Sequence, residues 1–168
     1  MTDDKGTISQ TGQITFRRTL PGGIDKAWAF LTQSDKLKAW YGEGAIEARP
    51  GGRVSLMGGR IRGIVTQARA QERLTYSWNV HDPADPQDAV SAYPESYLSL
   101  SLADQAPQTV LTLLHLPVPE RFQKQSAMGW HTFLDMIADG LKGGSLCRED
   151  YFSKNAALYG VDISKIER

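Results

Sequence analysis

The stretch Trp130-His131-Thr132-Phe133-Leu134-Asp135-Met136-Ile137-Ala138-Asp139-Gly140-Leu141 decides the fold. Trp130, Phe133, Leu134, Ile137 and Leu141 recur at the spacing of one face of an α-helix, and the stripe is broad. It predicts a long helix over about Gln125 to Lys142, stopped by Gly143-Gly144. Pro117 to Phe122 leads into it.

Immediately upstream the period changes to two. In Thr109 to Leu116, the side chains of Leu111, Leu113 and His115 share a face. In Glu95 to Leu102, Leu98, Leu100 and Leu102 alternate against Ser99 and Ser101. A polar turn around Asp104 to Gln108 joins these two strands. Arg73 to Asn79 is another strand, with Leu74, Tyr76 and Trp78 on one face. Further back lie Arg60 to Ala70, Arg53 to Met57 and Ala45 to Arg49, separated by Gly58-Gly59 and Pro50-Gly51-Gly52 turns. Short strands punctuated by turns predict an antiparallel sheet rather than parallel βαβ units.

The first strand is Gln13 to Leu20, where Ile14 and Phe16 share a face, and Pro21-Gly22-Gly23 ends it. Ile24 to Thr32 reads as a short helix with Ala27, Phe30 and Leu31 on its apolar side and Asp25 in its first turn. Ser34 is the expected N-cap of a second short helix carrying Leu37, Trp40 and Tyr41. Val80 to Pro94, with His81-Asp82-Pro83, Asp85-Pro86 and Tyr93-Pro94, is expected to be a loop. After the long helix, Arg148 to Tyr159 reads as an extra helix with Phe152, Ala156 and Tyr159 at i, i+4 and i+7.

The totals exclude several function classes. The 168 residues suit one domain large enough to bury a core without staples. Lys plus Arg equals Asp plus Glu at 19 each, which argues against a nucleic-acid binder and against electrostatic capture by an anionic membrane. The single cysteine, Cys147, suits a reducing compartment and reads as an inert thiol. The start Met1-Thr2-Asp3-Asp4-Lys5-Gly6 lacks the pattern of a signal peptide, and no run is long and apolar enough for a membrane span. The expectation is a cytoplasmic protein without membrane insertion.

The order of strand, two short helices, sheet meander and long helix resembles the helix-grip superfamily of START and birch-pollen-allergen-like domains, also called SRPBCC. Within it the chain resembles the bacterial branch named after the activator of the heat-shock-protein ATPase. The matching residues are Ile24-Asp25-Lys26-Ala27-Trp28 with Leu31-Thr32, Leu37-Lys38-Ala39-Trp40-Tyr41, Arg49-Pro50-Gly51-Gly52 and Gly63-Ile64-Val65. They continue with Leu74-Thr75-Tyr76-Ser77-Trp78, the strand ending in His115, and Gly129-Trp130 before Leu134-Asp135-Met136-Ile137. The resemblance covers about residues 13 to 142. It implies an α+β helix-grip fold, a curved antiparallel sheet wrapped around the long helix. The expected organisation is a frayed segment over 1–11, a helix-grip domain over 12–143, and an extension over 144–168 packed on the domain or on a partner in a homodimer.

The resemblance also implies a cavity between the sheet's concave face and the long helix. It does not imply a catalytic set, because the family shares a shape rather than a chemistry. The candidate ligand-binding residues are Trp40, Tyr41, Val65, Leu74, Tyr76, Trp78, Leu98, Leu100, Leu111, Leu113, His115, Trp130, Phe133, Leu134 and Ile137. Aromatics at strand and helix spacing are usually core, but here the core is where the cavity opens. Trp28 is read as structural packing. His115 ends an apolar face, where a lone histidine is more often a satisfied core group than an acid–base catalyst. His131 is assigned to the surface. Arg49, Arg53, Arg60, Arg62 and Arg69 read as the solvated side of the sheet, although an inward Arg60 or Arg62 would bind a carboxylate bidentately.

Three histidines and one cysteine at no ligand spacing give no metal site, and no cofactor is implied. Ser126 and His131 lack a nucleophile elbow, and the glycine pairs lead into strands rather than helix N-termini, so neither a triad nor a phosphate loop is indicated. The leading expectation is non-catalytic binding of a small apolar or amphipathic molecule. A cyclase- or dehydratase-like enzyme using His115, Tyr76 or Glu95 in the same cavity is the first alternative. A chaperone-associated interaction module is the second.

Overall fold

In the computed structural model the described residues are 6–8, 12–81, 95–144, 146–162 and 164. The loop expected over Val80 to Pro94 lies outside them from residue 82 onward. The strands are β1 (Thr7–Ile8), β2 (Ile14–Leu20), β3 (Ala45–Ile46), β4 (Arg53–Leu56), β5 (Ile61–Arg69), β6 (Arg73–Val80), β7 (Ser96–Gln105) and β8 (Gln108–Leu116). The helices are α1 (Ile24–Thr32), α2 (Ser34–Trp40), α3 (Glu120–Leu141) and α4 (Arg148–Tyr159).

The strands form one antiparallel sheet in the order β1-β2-β8-β7-β6-β5-β4-β3. Alternation sets its register. Leu74, Tyr76 and Trp78 of β6 stand opposite Leu100, Leu98 and Ser96 of β7, and Leu98 and Leu100 in turn face His115 and Leu113 of β8. Every apolar member of that row except half-buried Trp78 is buried, so each slip of one residue would expose the whole row. Burying one such leucine stabilises the fold by about 1.5–3 kcal/mol. The helix α3 crosses this face and is flanked by α1, α2 and α4.

A bulge between Val65 and Gln67 bends β5 against β6. Just before it, the two strands approach so closely that a Cβ on Gly63 would fall 1.7 Å from the Ser77 carbonyl oxygen. The Ser77 hydroxyl accepts the Ile64 backbone N–H at 2.9 Å, which ties the same point.

Four local expectations change. Thr7 and Ile8, expected to be frayed, pair with Thr15 and Ile14 as a short edge strand. The strand expected over Ala45 to Arg49 is only Ala45–Ile46, because Gly52 N–H already closes the turn on the Arg49 carbonyl at 2.8 Å. Ser34 is the first residue of α2 and makes no cap bond; Gln33 holds the cap position. Finally, α3 begins at Glu120, ahead of Gln125. Its first turns carry Arg121, Gln123 and Lys124, which hide the apolar period there.

Candidate functional site

The concave face, the N-terminal half of α3 and the start of α4 enclose a cavity of about 460 Å³. Its floor is apolar. Ile61 of β5, Val80 of β6, Val118 before α3, and Met128 and Trp130 of α3 line it and are all buried. Half-buried Trp78, Phe122, Phe133 and, from α4, Phe152 complete the apolar wall. Towards solvent the lining turns polar: Arg60, Gln125, Ser126 and Arg148 are half-buried, and Glu149 is exposed.

Two polar side chains, Ser96 and His115, lie at the buried end, at 4% and 2% exposure. Their hydrogen bonds form a directed chain. The Trp130 indole N–H can only donate, and it donates to His115 Nδ1 at 3.0 Å. The neutral ring therefore carries its proton on Nε2, which lies 2.8 Å from Ser96 Oγ. Ser96 in turn donates to the Trp78 carbonyl at 2.7 Å. Burial pushes the His115 pKa down to about 4, so the ring is neutral at physiological pH. With both nitrogens engaged, it is held as a structural link between sheet and helix.

Beside the cavity, the Trp78 indole donates to the Tyr41 hydroxyl at 2.8 Å, and the Trp40 indole donates to the Phe30 carbonyl at 2.7 Å. Burial raises the Tyr41 and Tyr76 pKa values well above the ordinary phenol, so both hydroxyls stay protonated. Tyr41, Trp130 and Phe133 pack with ring centroids 5.1–5.9 Å apart in tilted and edge-on pairs. Arg148 lays its guanidinium 5.4 Å from the Phe133 ring centroid and donates to the Trp40 carbonyl at 3.1 Å.

A second polar cluster lies on the other side of α3, under α4. Arg18, on the inward face of β2, has Nη2 3.4 Å from His131 Nε2. His131 Nδ1 is 3.0 Å from the Tyr159 hydroxyl, which also accepts the Gly6 N–H. Asn155 Nδ2 donates to Thr132 Oγ1 and to Asp135 Oδ2, both at 3.2 Å. His131 is fully buried, which corrects its assignment to the surface: α4 covers that side of α3 and supplies polar partners. Among the described residues, no group of three or more His, Cys, Asp and Glu side chains could hold a metal ion.

Residues 23–142 match the model of the family described as activator of Hsp90 ATPase homolog 1-like protein. The chain belongs to that family. Solved structures share the fold of this family member. CalU16 from Micromonospora echinospora superposes with a TM-score of 0.70 at 21% identity, over 93% of this chain and 92% of that one. DynU16, from the dynemicin biosynthetic locus, gives 0.66 at 20% identity, over 80% of this chain and 48% of that one. The Aha1 dimer from Colwellia psychrerythraea gives 0.61 at 20% identity, over 77% and 95%. No functionally curated protein matches the chain. No helix among the described residues is long and apolar enough to cross a membrane.

Among the candidate residues of this family member, Trp78, His115, Trp130 and Phe133 line the cavity. Trp40, Tyr41, Val65, Leu74, Tyr76, Leu98, Leu100, Leu111, Leu113, Leu134 and Ile137 instead pack in the continuous core. Glu95 is exposed, and Trp28 packs against the core, half-buried. The wall residues that periodicity misses are Val118, Phe122, Met128 and Phe152 from helix starts and their approaches, and Arg60 from a turn. Of the two meander arginines weighed above, Arg60 lines the cavity, whereas Arg62 donates its Nε to the Gly59 carbonyl at 2.9 Å.

Proposed function

We propose that the protein binds a small apolar or amphipathic molecule in the cavity between sheet, α3 and α4, without converting it. One observation carries this reading. The deep end of the cavity is apolar, and its two polar side chains, Ser96 and His115, spend their hydrogen bonds on Trp78 and Trp130. A pocket of this size with an apolar floor and a few polar groups at one side matches the general form of small-molecule sites. The site of action is the cytoplasm.

The test is a thermal-shift screen of hydrophobic metabolites and neutral fluorescent lipids, with mass spectrometry of material co-purified with the protein. Binding compounds raise Tm, and Val118→Trp, which fills the cavity, abolishes the shift while preserving the circular dichroism spectrum. If no compound raises Tm and nothing co-purifies, the reading fails.

A cyclase- or dehydratase-like activity is the second reading, favoured by the placement of DynU16 in a biosynthetic locus. It requires a group free to move a proton at the deep end, so turnover that disappears in His115→Gln would replace the first reading with this one. The Colwellia relative is a dimer, and a homodimer of this chain is tested by sedimentation equilibrium.

A further inference from the structure

The polar lining of the cavity is divided by chemistry. The buried pair, Ser96 and His115, is neutral and internally satisfied, whereas the charged groups Arg60, Arg148 and Glu149 stand towards solvent. Arg148 is already committed: it donates to the Trp40 carbonyl and stacks on Phe133. Arg60 is different. It is half-buried, and its guanidinium has no hydrogen-bond or ion-pair partner among the described residues.

The local chain explains how Arg60 reaches the site. Met57, Gly58 and Gly59 take left-handed φ values of 54°, 67° and 92°, a sharp reversal between β4 and β5. Arg60 follows it, and Arg62 folds back to cap the same turn through the Gly59 carbonyl. One arginine closes the turn and the other is left on the cavity rim.

We propose that the cavity's ligand is an amphiphile with a singly charged anionic head, a carboxylate, held bidentately by Arg60 while its apolar tail lies against Val118, Met128 and Trp130. This rests on the cavity-binding reading above and names its ligand class. A planar guanidinium with free N–H groups matches a carboxylate fork, and the match strengthens where water is partly excluded. Among the described residues the lining carries two arginines and one glutamate, a formal charge of +1, which suits a monoanion better than a dianionic phosphate. A cationic head would meet Arg60 and Arg148 at the mouth and is disfavoured.

The experiment compares decanoate, decanol, decyl phosphate and decylamine, each below its critical micelle concentration, by calorimetry and by the fluorescence of the wall tryptophans. The native chain is measured against Arg60→Gln and Arg60→Lys. The expected result is decanoate binding about tenfold or more tighter than decanol, from charge-assisted hydrogen bonds. Arg60→Gln removes that preference by weakening decanoate binding far more than decanol binding, and Arg60→Lys retains only part of it. If decanol binds as tightly as decanoate, if decyl phosphate or decylamine binds tightest, or if Arg60→Gln keeps the preference, the head-group assignment is overturned while the cavity reading stands. If none of the four binds, the cavity reading itself falls and takes this assignment with it.

Discussion

Trp130 on α3 and His115 on β8 are joined by a 3.0 Å hydrogen bond from the indole N–H to Nδ1. The bond ties the long helix to the sheet at the blind end of the cavity. It also sets the imidazole tautomer, since an acceptor at Nδ1 leaves the proton on Nε2, facing Ser96. A general base needs a nitrogen open to substrate, and here both nitrogens face protein partners. The pairing holds the imidazole as a polar link within an apolar wall.

The first prediction concerns pH. The His115 pKa is about 4 in the native protein against an ordinary 6.5 once unfolded, and burial is the cause. Between those values the unfolded chain binds a proton that the native ring does not. Stability therefore rises with pH across the window from 4 to 6.5, is unaffected by this group above it, and is lost as pH falls through it. From pH 7.5 to pH 5 the loss amounts to about 2 kcal/mol. Urea denaturation at the two pH values checks this, and His115→Gln should flatten the difference by that amount. An equal pH slope in both proteins would show that His115 is not the titrating group.

Trp130→Phe keeps an aromatic ring in the wall but removes the donor to His115. The buried Nδ1 then lacks its partner, a loss of about 1–3 kcal/mol. In ¹⁵N NMR, the native protein should show a single Nε2-protonated tautomer for His115, and the variant should show that preference relaxed. A mixed tautomer in the native protein would contradict the directed chain from Trp130 to Ser96.

The fold was legible because its elements are periodic. Leu74, Tyr76 and Trp78 alternate, and Trp130, Phe133, Leu134 and Ile137 recur at helical spacing, so each states its own geometry. Of the periodic faces, Trp78, His115, Trp130 and Phe133 line the cavity, and the rest of those faces packs in the core. Arg60, Val118 and Phe152 enter the cavity from a turn, a helix approach and a second helix, and their neighbours are set by tertiary packing that no local period records. His131 was misread for a related reason. His131, Thr132 and Asp135 lie on the side of α3 that α4 covers, and polar residues on a helix read as solvated until the covering element supplies partners.

The third prediction is at Gly63. A Cβ there would lie 1.7 Å from the Ser77 carbonyl oxygen and 2.9 Å from its hydroxyl, so β5 and β6 must part to admit even a methyl group. The obstructing atom is backbone, and side-chain rearrangement gives no relief. Gly63→Ala should destabilise the protein by about 4 kcal/mol or more, in the range reserved for steric disruption of packed elements. Its urea midpoint compared with that of Gly129→Ala, where nothing lies within 4 Å of the added Cβ, checks the prediction. Equal midpoints would mean that the strands yield.

The fourth concerns how α4 is held. Its buried residues are Asn155 and Ala156, half-buried Tyr151 and Tyr159 pack against the core, and polar contacts at Asn155 and Tyr151 add to that packing. Asn155 donates to both Thr132 and Asp135, and the Tyr151 hydroxyl donates to Asp139 at 2.6 Å. Asn155→Ala leaves the buried Asp135 carboxylate without this donor, and the expected loss is about 2–3 kcal/mol. Asn155→Asp should cost more at neutral pH, because it sets a second carboxylate beside Asp135. Both variants should speed amide hydrogen exchange across 148–159 before they affect the sheet. Because α4 also carries Arg148 and Phe152 to the cavity, they should also weaken the ligand binding proposed for it. Deleting 145–168 should destabilise the remaining domain by uncovering His131 and Asp135. A truncated chain that keeps its full stability would show instead that the polar cluster holds α4 without supporting the domain.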